Sequence, residues 1–133
     1  IVKKNNGGLL MIDYGYMEKK MKNTLKAISN HKHSSVLKNI GKSDITHNIN
    51  YFLFKRIIKK LGGLKNLTTT QGSFLVKLGI KNRAEIISQN QSFSKKADIY
   101  FRLKKLIDDK EMGNLFKVMF IKNKNNKYKL GFN

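Results

Sequence analysis

The chain has 133 residues, 40% of them hydrophobic, which is enough for one packed domain or part of a larger one and too much for a disordered tail. It contains no cysteine, which excludes disulfides and thiolate metal sites, and its formal charge of +20 points towards anionic partners. That charge is nearly all lysine, because Arg56, Arg83 and Arg102 are the only arginines, and the lysines run the length of a chain rich in Asn and Ile and free of proline.

An A/T-rich coding sequence imposes this composition on any protein. A surface selected for phosphate recognition favours the bidentate fork of arginine instead. A small basic nucleic-acid-binding module is therefore the alternative reading, not the leading one. No apolar run approaches the roughly 18 residues of a membrane span. The charged start lacks the apolar segment of a signal peptide, so a soluble intracellular protein is expected.

In chain order, the first element is a strand over residues 8–13, "GLLMID". Its unbroken apolar run suits an interior strand of a parallel sheet covered on both faces. Residues 17–47 read as irregular and polar. Phe54, Ile57, Ile58 and Leu61 then recur at helical spacing, with Asn50 placed to cap the helix and Gly62-Gly63 to stop it. "LKNLTTT" (64–70) is β-prone, and Thr70 is placed to cap a short helix that Gly79 ends. "KNRAEIIS" predicts another helix, and "KKADIYFRLKKLID" a third through Ile99, Leu103, Leu106 and Ile107. "NLFKVMFI" (114–121) is a strand, with Lys117 read as snorkelling from a sheet edge, and the polar tail is expected to fray until its last few residues. One strand near the start and two more cannot complete a parallel sheet, so part of the sheet is expected to be missing.

Five motifs remain: Leu10 to Gly15; Thr24-Leu25 with Ala27 and His31; Gly41 with Asp44-Ile45-Thr46; Thr70 to Ile80; and Met112 to Val118, with Gly131-Phe132 near the end. In this order they resemble the C-terminal half of the MidA-like class I S-adenosylmethionine-dependent methyltransferases, the family of the mitochondrial complex I assembly factor that methylates a protein arginine. The family pattern reads "LLIDYG", "TL.A...H", "G..DLT..V.F", "TQG.FL..LGI" and "MG.LFKVL". The resemblance implies an α/β fold, namely strands five, six and seven of a Rossmann-like methyltransferase sheet with intervening helices. The seventh strand would lie antiparallel between the other two. Residues 1–133 would form the C-terminal portion of a single domain, whose Gly-rich cofactor loop and ribose-binding acid precede this segment. Where the family usually has His and Asp, this chain has Asn48 and Asn50.

The carboxyl ends of parallel strands are where open α/β sheets bind ligands. Asp13 and Tyr14 are accordingly expected on the substrate side of a methyl-transfer pocket, although an Asp there also caps a turn while Gly15 takes a positive φ. A guanidinium acceptor stays protonated at neutral pH, so carboxylates that accept its paired N–H groups would hold it. Asp44 is the second such candidate, with an Asx-turn or a bond to Thr46 as its alternative role. His31 is a substrate-binding candidate or a loop histidine satisfying carbonyls. Gln71-Gly72 is a helix start able to meet an anionic group or merely a tight turn. Gly15 and Thr46 complete the substrate-binding set. His31 and His33 lack the further ligands of a metal site, so no metal is expected.

The expected activity is S-adenosyl-L-methionine-dependent methylation of a protein, on arginine, with the cofactor held mainly by the missing half. The resemblance implies a protein substrate such as a respiratory complex I subunit. The expected location is the cytoplasm of a bacterium, or the mitochondrial matrix of a eukaryote. A catalytically inactive protein-interaction domain is the third reading.

Overall fold

The computed structural model describes residues 1–38 and 40–132. Its elements are β1 (Gly8–Tyr16), β2 (Lys26–Ser29), β3 (Lys32–Ser34), β4 (Asp44–Thr46), β5 (Ile49–Asn50), α1 (Tyr51–Leu61), β6 (Leu64–Thr70), α2 (Gln71–Lys77), α3 (Ile80–Ser88), α4 (Phe93–Ile107), α5 (Met112–Leu115) and β7 (Phe116–Asn123). The main sheet has the order β5-β1-β7-β6, and β7 runs antiparallel to both β1 and β6. The expected arrangement of the last strand between the other two is therefore observed, within a mixed α/β fold.

Local signals account for the helix ends. The Asn50 side chain accepts the Leu53 N–H at 3.1 Å and Thr70 Oγ1 accepts that of Ser73 at 3.3 Å, each satisfying a donor that the first helical turn leaves free. Gly62 ends α1 at φ 61°, and Gly79 separates α2 from α3 at φ 85°, a backbone region that costs a side-chain-bearing residue energy.

Several expectations are corrected. β1 does not end at Asp13 but continues to Tyr16, because Tyr14 pairs with Phe116 of β7 and Gly15 and Tyr16 pair in parallel with Ile49 and Asn50 of β5. Residues 17–47 are not irregular throughout. They contain a second sheet, β3-β2-β4, whose β2–β3 hairpin turns through Asn30 and His31, at φ 49° and 60°. Positive φ at both central residues suits the right-handed twist of the flanking strands. The last strand begins at Phe116 after the short turn of α5, so Lys117 lies on an interior strand, not at an edge.

One face of the main sheet carries the core, in which Tyr51 and Ile58 of α1 pack on Met119 and Ile121 of β7, with Met11 and Leu64 beside them. On the other face the tail folds back instead of fraying. Phe132 packs between Phe74 and Phe120, and Tyr128 meets Phe120 edge-on at 5.6 Å.

Cover is incomplete. Leu9, Leu10 and Ile12 of β1 are about half exposed, as are Ile57 and Leu61 on the predicted apolar face of α1. β5 pairs only with the last two residues of β1, which leaves the rest of that edge without a strand among the described residues. The expected cover on both faces of β1 is thus not met within this chain.

Candidate functional site at the carboxyl end of β1

The direction of β1 and β6 brings their carboxyl ends to one end of the sheet, where Asp13, Lys117 and Thr70 form a row across three strands. Two clefts open there and share Tyr16. The first, of about 330 Å³, lies between the segment 21–25 and residues 47–54, with His47, Asn48, Asn50, Leu53 and Phe54 on its wall. The second, of about 410 Å³, is bordered by Gly15, Glu18, Asp109, Lys110, Glu111 and Lys117.

Tyr16 is buried, and its hydroxyl accepts the Lys22 N–H at 3.1 Å, which draws the loop after β1 back over the strand end. Asn48 N–H donates to Thr24 Oγ1 at 3.0 Å, and Asn50 Nδ2 lies 3.2 Å from Met21 Sδ, so both asparagines pin the same loop. Gly15 is required by close approach, since a Cβ there would lie 2.4 Å from the Tyr51 ring and 2.6 Å from the Ile49 carbonyl oxygen.

In the second cleft three of the chain's eight carboxylates gather in a strongly basic protein. Glu18 accepts Lys22 Nζ at 2.7 Å, which holds its carboxyl below the usual range. Lys117 Nζ bonds to Asn114, its side-chain oxygen at 3.0 Å. Desolvation lowers the Lys117 pKa, and the charges of Glu18 and Asp109 work against that shift. Tyr51 titrates above the ordinary phenol range, first because it is buried and then because of the Asp13 charge. The cleft beside Gly15 therefore carries both signs, with the carboxylates of Asp109 and Glu111 set among the ammonium groups of Lys110 and Lys117 and Glu18 already paired with Lys22.

The candidate residues do not converge. Asp13 Oδ1 accepts the Tyr14 N–H at 2.7 Å, and the Tyr14 ring packs on Phe116 at a 35° tilt with centroids 4.1 Å apart. Gly15 alone of the named set lines either cleft. His31 is exposed at the hairpin turn, and Asp44 and Thr46 are exposed on β4, paired with Ile28 and Lys26. Gln71 and Gly72 are buried against the end of α4. Gln71 Nε2 donates to the Leu106 carbonyl at 3.0 Å, and a Cβ on Gly72 would lie 2.5 Å from the Ile107 carbonyl oxygen. They satisfy and seat the last carbonyls of that helix. Tyr16, Glu18 and Tyr51 were not singled out from sequence. Only the motif around Tyr16 carried any signal for them.

The residues present do not form a cofactor cradle. Among the described residues β1 leads into an extended loop, and β6 leads into α2 through a glycine already packed against Ile107, so neither strand end offers a Gly-rich turn to a ligand. No group of three or more metal-ligating side chains occurs among the described residues, and no helix there is long and apolar enough to cross a membrane.

Comparison with known proteins places this geometry. Residues 2–70 match the model of a family described as S-adenosyl-L-methionine-dependent methyltransferase (Methyltransf_28). The chain is 25% identical over 125 residues to "Protein arginine methyltransferase NDUFAF7, mitochondrial" of Danio rerio, covering 92% of this chain and 28% of that protein. A COG1565 superfamily protein of Burkholderia thailandensis superposes with a TM-score of 0.77 at 26% identity, over 96% of this chain and 35% of that one. A COG1565 member from the same organism, solved with S-adenosyl-homocysteine bound, gives 0.70 at 26% identity, over 96% and 33%. The chain spans about a third of the length of the relatives it matches.

Proposed function

The chain belongs to the S-adenosyl-L-methionine-dependent methyltransferase family, and from that premise we propose that it forms the C-terminal portion of a methyltransferase domain. One observation carries the reading: β7 lies antiparallel between β1 and β6, while the opposite edge of β1 is open where further parallel strands would pair. The half-exposed Leu9, Leu10, Ile12, Ile57 and Leu61, and the coverage of only about a third of each relative, support the same conclusion.

On this reading the missing part binds S-adenosyl-L-methionine, which supplies the methyl group, and this chain supplies the wall on the acceptor side. Methyl transfer needs the acceptor nitrogen held in line and shielded from water more than it needs strong acid–base groups. With Glu18 paired to Lys22, Asp109 and Glu111 are the carboxylates of the second cleft left to meet a cationic acceptor beside Lys110 and Lys117, and the zebrafish relative's name makes a protein arginine the first candidate. Asp13 and Tyr14 support the strand end from the sheet side; His31, Asp44 and Thr46 stand on the hairpin sheet, where a protein substrate would dock. A complex I subunit is the partner the family suggests, and a bacterial cytoplasm or mitochondrial matrix the location.

The test is a chimera in which residues 1–133 replace the matching third of the Burkholderia thailandensis protein. A chimera that melts cooperatively and binds S-adenosyl-homocysteine supports the reading. A cooperatively folded chimera that does not bind it overturns the assignment of this chain to the acceptor-side wall.

A further inference from the structure

The end of the sheet opposite the candidate site carries a second, chemically different feature. Lys122 on β7 pairs with Lys65 on β6 and with Gly8 on β1. That row lies five residues along β7 from the Asp13–Lys117–Thr70 row, about 17 Å at the rise of an extended strand. Lys122 is only 4% exposed, under the folded-back tail. Its Nζ donates to the Tyr128 carbonyl oxygen at 2.6 Å, which leaves two of its three N–H donors without a partner among the described residues.

Beside it is a cleft of about 710 Å³ lined by Lys65, Lys122, Lys124, Lys127 and Lys129, with Asn126 between them. Among the described residues no carboxylate lines the cleft, and the ion pairs found among them, Glu18–Lys22 and Asp98–Arg102, lie elsewhere.

A/T-driven lysines scattered on a surface do not produce this arrangement, because a buried ammonium costs energy unless something compensates it. Burial, followed by the charges of Lys129 and Lys65, depresses the Lys122 pKa, so the neighbours add to the cost instead of relieving it. The tail that presents the other lysines is itself held in place. Asn126 Nδ2 donates to the Asn6 carbonyl at 2.9 Å, the Tyr128 N–H to Asn126 Oδ1 at 2.8 Å, and the Lys124 N–H to the Gly63 carbonyl at 3.1 Å.

We propose that this cleft is an anion site for the phosphate chain of a small ligand, with Lys122 as the buried anchor and Lys65 and Lys129 as its flanking charges. The lysines surround one buried group instead of lying along an extended track, which favours a compact polyphosphate over a nucleic-acid backbone.

Isothermal titration of the chain with sodium tripolyphosphate tests the proposal. Saturable binding at one site is expected, weakened about tenfold or more by Lys122→Met and several-fold by Lys65→Gln or Lys129→Gln, the size of effect that losing a charge-assisted hydrogen bond has. The exposed positions Lys65 and Lys129 keep the test decisive should Lys122→Met disturb folding. A triple variant on α1 (Lys55→Gln, Lys59→Gln, Lys60→Gln) removes three charges elsewhere and is expected to leave binding unchanged. The proposal is overturned if that control weakens binding as much as the cleft variants do. It is also overturned if the cleft variants bind like the parent, or if a single-stranded oligonucleotide binds more tightly with no dependence on Lys65, Lys122 or Lys129.

Discussion

The hydroxyl of Tyr51, on the first turn of α1, donates to the main-chain carbonyl of Lys117 on β7 at 3.1 Å. The same oxygen lies 3.4 Å from the Asp13 carbonyl, so one fully buried side chain ties the helix to both strands at the end of the sheet where the clefts open. Tyr51→Phe removes the donor and keeps the ring. It is expected to lower stability by about 1–2 kcal/mol, measured as a shift in the urea midpoint with an unchanged slope. A neutral substitution would mean that the hydroxyl only fills space.

Gly72 and Gly113 close on the same group, since a Cβ on either would come within 2.5 Å of the Ile107 carbonyl oxygen. Gly72→Ala and Gly113→Ala should each destabilise by about 1–3 kcal/mol. The double variant should cost clearly less than the sum, because the first substitution already displaces the carbonyl. Strict additivity in a double-mutant cycle would show that the two glycines act separately.

Lys122 predicts a pH dependence of definite sign. Its folded pKa is depressed by burial and by Lys129 and Lys65, whereas the unfolded chain titrates at the ordinary lysine value. Between those two values the unfolded state binds more protons, so stability rises with pH through that window, and the cost of the buried charge is felt in full below it. Urea midpoints measured from neutral pH to about 10.5 should show the parent gaining on Lys122→Met. Tyr51 acts in the opposite sense near the top of this range, but it is common to both proteins and cancels in the difference. A difference that stays flat with pH contradicts the assignment.

The open edge of β1 predicts association. A strand with one edge unpaired over most of its length among the described residues, and carrying half-exposed Leu9, Leu10 and Ile12, is a template for pairing with another chain. Sedimentation of the isolated chain should show self-association despite its charge, relieved by Leu10→Lys with Ile12→Lys. A monomer with a sharp cooperative melt would contradict this.

Features that depend on neighbouring residues were legible in the sequence. Asn50 and Thr70 announce helix starts, and Gly62 and Gly79 announce ends, because capping needs only the next turn of the chain. The place of β7 between β1 and β6 was legible through the family motifs, not through periodicity. The sheet β3-β2-β4 was missed because strands of three or four residues such as "KHS" and "DIT" carry too little alternation to register. The α1 face was misjudged in detail: Tyr51 and Ile58 reach the core while Ile57 and Leu61 stay half exposed, a choice made by the sheet beneath and not by the helix. Gln71 was read for its place after a strand, yet it satisfies a carbonyl of α4, 35 residues away in sequence. Lys122 gave no signal, since its burial follows from a tail that packs back through Tyr128 and Phe132.

The most direct test of the central proposal is calorimetry of S-adenosyl-homocysteine against residues 1–133 alone. As the acceptor-side wall of a larger domain, the chain should show no saturable binding tighter than about 1 mM, on the order of 4 kcal/mol of affinity. Micromolar binding to this chain would place the cofactor site within it and contradict the account.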